Sequence, residues 1–134
     1  MNKPILCLDF DGVIHSYTSG WKGADVITDP IVPGTIEFLI KASYEFNIHI
    51  LSSRSHQLDG IEAMRNYIRH YYHEWLDSIQ HADDYISDIT KLIEFPTEKP
   101  PAQITIDDRA IQFTGTWPSI EELKTFQPWN KKKV

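Results

Sequence analysis

Three short, largely apolar runs in this chain each end directly at polar side chains, and this pattern constrains the fold more than any other feature. The runs are Pro4–Leu8, Ile48–Leu51 and Ile104–Ile106. Runs of this length and character are typical of buried parallel strands. Between them, the segments that begin at Thr35 and Ile61 carry apolar residues at helical spacing. Strands that alternate with helices predict an α/β fold, a single Rossmann-like three-layer domain with a mainly parallel sheet and right-handed crossovers.

The remaining segments predict shorter elements. From residue 15 to residue 33 the glycines and prolines leave no helical period, which predicts a short flap over one edge of the domain. Ser119 followed by Glu122 is a capping box, which predicts a final helix ending near Phe126. We also expect a strand or turn near 75–79, a helix at 82–93 and a short strand at 111–113.

Length and composition limit the class of protein. The 134 residues fit one domain over 1–134, with a frayed tail at about 128–134 that includes the basic run Lys131–Lys133. A net charge of −6 argues against bulk binding to nucleic acid. The single cysteine, Cys7, excludes an internal disulfide. Since no apolar run is long enough for a membrane span and no signal peptide is evident at the N-terminus, the expected location is cytoplasmic.

Polar residues that follow parallel strands meet at one edge of the sheet. Here that edge gathers Asp9 and Asp11 after the first strand, Ser52 after the second, and Asp107 and Asp108 after a later one. Carboxylates brought together repel one another unless a cation joins them. Hard oxygen ligands suit Mg²⁺, so the sequence predicts a magnesium site at this edge.

These residues carry a resemblance to the haloacid dehalogenase (HAD) superfamily that extends from Asp9 to Asp108. The chain resembles small capless members, similar to the polynucleotide 3′-phosphatase type, because residues 15–33 are too few to form a large cap. The four motifs of that superfamily are matched in order by Leu8-Asp9-Phe10-Asp11-Gly12-Val13, by Ser52 in Ile50-Leu51-Ser52-Ser53-Arg54, by Lys99, and by Ile106-Asp107-Asp108.

The resemblance implies a role for each acid. Asp9 would attack phosphorus and carry the phosphoryl group as an aspartyl-phosphate. Asp11 would protonate the leaving oxygen and then deprotonate water, which requires a raised pKa. Mg²⁺ would be held by Asp9, by the backbone carbonyl of Asp11 and by the pair Asp107 and Asp108, with Asp108 slightly favoured as the closer ligand.

The resemblance also implies a phosphate-binding set. Ser52 would hydrogen-bond a phosphate oxygen, and Lys99 would supply positive charge in the transition state. Arg54 is predicted either to reach the substrate or to form a surface salt bridge. His15 is predicted either to contact substrate or to be a plain loop residue. Gly12, at the turn after the first strand, is also predicted to line the substrate site.

The expected function is therefore Mg²⁺-dependent hydrolysis of a phosphomonoester, in a phosphorylated small molecule or at a nucleic-acid end. Three alternatives stay open: a non-catalytic HAD-like binding module, a phospho-accepting signalling domain and a metal-dependent nuclease. The signalling domain is disfavoured because its acidic pair closes the first strand, whereas here the pair follows Lys99. A zinc site at His70 and His73 is disfavoured because histidines on a polar helix are more often surface residues.

Overall fold

A four-stranded parallel sheet lies at the centre of the protein. The structure is a computed structural model and describes residues 2–131. The order of the strands across the sheet is β3-β2-β1-β4, so the first strand is flanked by the second and the fourth. The strands are β1 (Ile5–Leu8), β2 (Asn47–Ile50), β3 (Ile93–Glu94) and β4 (Ile104–Ile106).

Two helices connect these strands and share one core with them. Helix α1 (Thr35–Ser43) joins β1 to β2, and helix α2 (Gly60–Ser78) follows β2. Leu6 pairs with Ile48 in the sheet register, and such neighbours in parallel strands lie on the same sheet face. The buried core contains these residues, Leu8 and Ile50 of the same strands, and apolar residues from both helices: Ile36, Leu39, Met64, Ile68 and Tyr72.

The α/β class and the parallel sheet are confirmed. The connection from β3 to β4, residues 95–103, contains no helix. The last helix, α3 (Ile120–Thr125), contributes no buried residue. The helical packing that positions the site therefore comes from α1 and α2. Ser119 begins α3 as predicted, since its side chain accepts a hydrogen bond from the backbone N–H of Glu122.

The segment after α2 differs from the prediction. The strand or turn expected near 75–79 is wrong because α2 continues to Ser78, with Tyr72 buried and Leu76 packed against the core. The helix expected at 82–93 is also wrong. Only two 3₁₀ turns form there, Ala82–Asp84 and Ile89–Leu92, and the Asp88 side chain caps the second by accepting the N–H of Thr90 at 3.0 Å.

The strand expected at 111–113 is not formed either. Ile111 and Phe113 are 50% and 56% exposed, and neither pairs with a strand within residues 2–131. A strand needs a neighbour for its backbone hydrogen bonds, and β4 ends before this segment. The apolar character of these residues alone was therefore a poor predictor of sheet structure.

The two ends of the flap, residues 15–33, run antiparallel to each other and are joined by backbone hydrogen bonds. The N–H of Ser16 donates to the carbonyl of Pro30 at 3.0 Å, and the N–H of Val32 donates to that of Ile14 at 2.8 Å. Between these bonds the flap has no regular secondary structure. The hydrogen bonds fix the base of the flap beside the end of β1.

The prediction that the tail is frayed does not describe residues 128–131. Trp129–Lys131 forms a 3₁₀ turn, and its side chains hydrogen-bond the loop after β1. The rest of the predicted tail, 132–134, lies outside the described residues. Among the helices of residues 2–131, none has both the length and the apolar character that crossing a bilayer requires.

Candidate active site

Three carboxylates meet where β1 and β4 end. Leu8 and Ile106 are register partners, so the residues that follow them, Asp9 and Asp107, emerge side by side. The N–H of Asp9 donates to the carbonyl of Ile106 at 3.0 Å and fixes the two strand ends together. One carboxylate oxygen from each of Asp9, Asp107 and Asp108 lies within 4.8 Å of the others.

The electrostatics of this cluster fit a cation. Burial, with the nearby charges of Asp107 and Asp108, raises the pKa of Asp9 to about 7, although the Phe10 N–H opposes the rise by hydrogen-bonding the carboxylate at 2.8 Å. Among the described residues, Oδ1 of Asp108 is buried without a hydrogen-bond partner. A divalent cation with oxygen ligands would satisfy this atom and remove the repulsion. The residues present therefore fit Mg²⁺, with Asp107 and Asp108 both within reach.

Gly12 allows Asp108 to lie close to the first loop. Its φ is +85°, a conformation that glycine adopts without strain, and a Cβ at this position would overlap the Asp108 carboxylate. This site of close approach explains why the sequence has glycine directly after Asp11. Gly12 is buried and lies against the Asp108 side chain.

A cavity of about 550 Å³ opens beside the carboxylates. Its lining combines side chains from four separate parts of the chain: Asp9 after β1, Ser52 after β2, Lys99 from the loop before β4, and Asp107 after β4. Sequence reasoning predicted all four. Four other polar residues that line the cavity were missed: Ser53, His56, Thr97 and Glu98. The position of Ser53 and His56 in the turn that Ser52 opens is a signal that could have found them.

Ser52 is held with its hydroxyl proton available. Its Oγ accepts the N–H of Arg54 at 3.2 Å, and its own N–H donates to Oγ of Ser55 at 3.1 Å. These two bonds form a capping box at the start of the Ser53–His56 turn. The Ser52 O–H can still donate to an anion in the cavity, as the predicted phosphate contact requires.

Arg54 lies beneath the site and does not line the cavity. The side chain is fully buried, and its Nε donates to both Asp11 oxygens at 3.0 and 3.2 Å. Trp21 of the flap lies over the guanidinium, 4.7 Å from its carbon to the ring centre. The expectation of a surface salt bridge for Arg54 is therefore wrong, while its contact with substrate stays a prediction. Its Nη1 donates to three flap carbonyls, those of Gly23, Ala24 and Val26.

His15 is a buried partner of Asp11. Only 1% of its surface is exposed, so His15 is not a plain loop residue, and its contact with substrate stays a prediction. Its Nε2 accepts the N–H of Asp29 at 3.1 Å, which leaves the proton on Nδ1. Nδ1 therefore donates to Oδ1 of Asp11 at 2.9 Å. His15 thus orients the Asp11 carboxylate and connects it to the end of the flap.

Asp11 is ionised in this arrangement. Burial alone would raise its pKa, but the hydrogen bonds from His15 and Arg54, together with the Arg54 charge, hold the pKa below its usual value. The raised pKa expected for a resting proton donor is wrong for this conformation. The two carboxylates of the Asp-x-Asp motif therefore have pKa values shifted in opposite directions.

A second cavity, of about 630 Å³, lies between the flap and α2. Among residues 2–131, its lining includes four carboxylates and His70 but neither Lys nor Arg. An anionic phosphate would be repelled there. The cavity that contains Ser52 and Lys99 is the better candidate for phosphate chemistry. The four carboxylates are Asp25, Asp29, Asp59 and Glu62.

No family model, curated protein or solved structure matches the chain. The chemistry of the site is therefore inferred from its own residues.

Proposed function

We propose that this protein is a Mg²⁺-dependent phosphomonoester hydrolase that works through an aspartyl-phosphate on Asp9. The observation that carries the proposal is the single cavity lined by Asp9, Ser52, Lys99 and Asp107. A nucleophile, a hydrogen-bond donor, a cation and a metal-ligating carboxylate are the groups that phosphoryl transfer needs. The HAD-like order of these residues in the sequence supports the same reaction.

In the first step, an Asp9 oxygen attacks phosphorus and the bond from phosphorus to the leaving oxygen breaks. Ser52 and Lys99 bind the phosphoryl oxygens and stabilise the charge that develops on them. Mg²⁺, when bound by Asp9, Asp107 and Asp108, would neutralise charge so that the anionic nucleophile can approach an anionic phosphate. In the second step, water attacks phosphorus, the Asp9 carboxylate is released and inorganic phosphate leaves.

Asp11 is proposed as the acid and base of these steps. As an ionised carboxylate it can take the proton of the attacking water in the second step. In the first step it must gain a proton before it can donate one, and Arg54 and His15 make that uptake unfavourable. Phosphate esters whose leaving groups depart without a proton, such as aryl phosphates with acidic phenols, should therefore react fastest. The physiological substrate is proposed to be a phosphorylated small molecule or a nucleic-acid end.

Phosphate release from an aryl phosphate tests this function. Wild-type protein should release phosphate in the presence of Mg²⁺, and this release should stop when EDTA is added. Asp9→Asn should lower kcat by at least about a thousandfold because it removes the nucleophile. Asp83→Asn, at an exposed acid in the Ala82–Asp84 turn, is the matched control and should keep wild-type kcat.

A substrate panel then narrows the class. It should include a sugar phosphate, a nucleoside monophosphate and a 3′-phosphorylated oligonucleotide. No turnover of any member by folded, Mg²⁺-loaded protein would contradict the hydrolase. That result would instead favour a non-catalytic binding module, or a phospho-accepting signalling domain if Asp9 retained the phosphoryl group.

A further inference from the structure

The end of the described chain returns to the loop that carries Asp11. Pro128 is buried, and Lys131 closes a turn by donating its N–H to the Pro128 carbonyl at 3.0 Å. We refer to Pro128–Lys131 as the C-terminal strap. More than 110 residues of sequence separate it from the loop that it contacts.

Three consecutive side chains of the strap hydrogen-bond backbone carbonyls of that loop. The contacts begin at the residue after Asp11 and continue into the flap. Each donor bonds a different carbonyl, so the strap is hydrogen-bonded to the loop at three points. The bonds are Trp129 Nε1 to Gly12 O at 2.6 Å, Asn130 Nδ2 to Ser16 O at 2.9 Å, and Lys131 Nζ to Thr18 O at 3.3 Å.

The hydrogen bond to the Gly12 carbonyl is the one of these three that lies closest to the site. The N–H of Gly12 donates to the His15 carbonyl at 2.7 Å, while the Gly12 carbonyl accepts the indole N–H of Trp129. Both peptide groups that flank Gly12 are therefore fixed. Since the residue also packs directly against the Asp108 carboxylate, a shift of this loop would move Asp11 relative to Asp108.

We propose that Trp129 is a positioning residue for phosphoryl transfer, holding the Gly12 peptide so that Asp11 and Asp108 keep their relative placement. Trp129 acts through the loop, since it does not line the cavity of Asp9 and Lys99. The catalytic consequence rests on the proposed function. The effect on the loop does not.

If Trp129 only stabilised the fold, replacing it would lower the free energy of unfolding. The side chain is 52% exposed, so it adds little to the core. Trp129→Phe removes the N–H donor and replaces the indole with a smaller aromatic ring, and because the side chain is half exposed, global stability should change little. Trp117→Phe is the matched control, because Trp117 is 82% exposed and its ring contacts only the ring of Phe113 among the described aromatic pairs.

Hydrogen exchange measured by mass spectrometry tests the loop without requiring activity. In Trp129→Phe, peptides covering residues 10–18 should exchange several-fold faster than in wild type, because a tertiary bond that restrains the loop is lost. The same peptides in Trp117→Phe should match wild type. Equal exchange in both variants would overturn the proposal, whether or not the protein is a phosphatase.

Steady-state kinetics test the catalytic consequence. Trp129→Phe should lower kcat about threefold to tenfold, the effect expected for one hydrogen bond, and should raise the Mg²⁺ concentration for half-maximal rate by a similar factor. KM and the urea midpoint of unfolding should stay near wild type. If wild type turns over substrate and both variants share its kcat and Mg²⁺ dependence, the positioning role is wrong. If wild type releases no phosphate, the proposed function fails while the exchange result stands.

Discussion

At the residue scale, the site depends on which carboxylate has a cationic partner within the protein. Asp11 has Arg54 at 3.0 Å and the His15 N–H at 2.9 Å, and its pKa is lowered. Asp9 is more buried and faces other acids, and its pKa is raised to about 7. Within residues 2–131 the Asp9 carboxylate forms no ion pair, and a bound cation can compensate its charge.

This difference predicts how stability changes with pH in metal-free protein. A carboxyl whose folded pKa is raised stabilises the fold while protonated, and that contribution is lost as pH rises from the unfolded value of about 3.9 through about 7. Asp9→Asn cannot ionise. It should therefore raise the free energy of unfolding at pH 8 by on the order of 2 kcal/mol, and change it little near pH 4.

Urea unfolding in EDTA from pH 4 to pH 8 measures this effect. Asp83→Asn should show no such pH-dependent increase in the free energy of unfolding, because Asp83 is exposed. Saturating Mg²⁺ should reduce the difference in the free energy of unfolding between Asp9→Asn and wild type. The cation stabilises wild type more, because only the carboxylate can ligate it well. A constant difference across the pH range would contradict the account of Asp9.

At the scale of elements, Arg54 joins the turn after β2 to the flap. Its guanidinium bonds Asp11 on one side and three flap carbonyls on the other, with Trp21 stacked over it. One buried side chain thus organises about twenty residues that have no regular secondary structure of their own. The flap is therefore expected to depend on this residue for its placement.

Arg54→Met should be strongly destabilising. It leaves Asp11 as a buried charge without its main partner, a change that costs about 3 kcal/mol or more. Arg65→Met is the control, since Arg65 pairs with the exposed Glu62 at 3.7 Å and should cost less than about 1 kcal/mol. Equal urea midpoints for the two variants would show that Arg54 does not organise the flap.

Elements with a strong local period were predictable from sequence. The first two strands and α1 lie at or within one residue of their expected positions, because each has a regular apolar pattern that the core uses. Residues 82–93 were not predictable in this way. There the Asp88 side chain bonds both the N–H and the hydroxyl of Thr90, which stabilises a short turn where the apolar spacing suggested a helix.

At the scale of the whole molecule, the site results from the parallel sheet. The strand ends of β1, β2 and β4 share one edge, so Asp9, Ser52 and Asp107 could be predicted to converge from their positions after apolar runs. The environments of Arg54 and His15 could not, because their partners include backbone groups of the irregular flap. The C-terminal strap was missed for the same reason, since its acceptors are also backbone carbonyls.

The central claim is that Asp9 accepts the phosphoryl group. The most direct measurement is to quench the protein during turnover of an aryl phosphate in Mg²⁺, reduce it with borohydride and map its peptides by mass spectrometry. Borohydride converts the acyl phosphate of an aspartate to homoserine, so the account predicts homoserine at position 9 and unchanged aspartate at 11, 107 and 108. Homoserine at one of those other positions would contradict it. Release of the aryl alcohol ahead of phosphate, with no homoserine at any aspartate, would also contradict it.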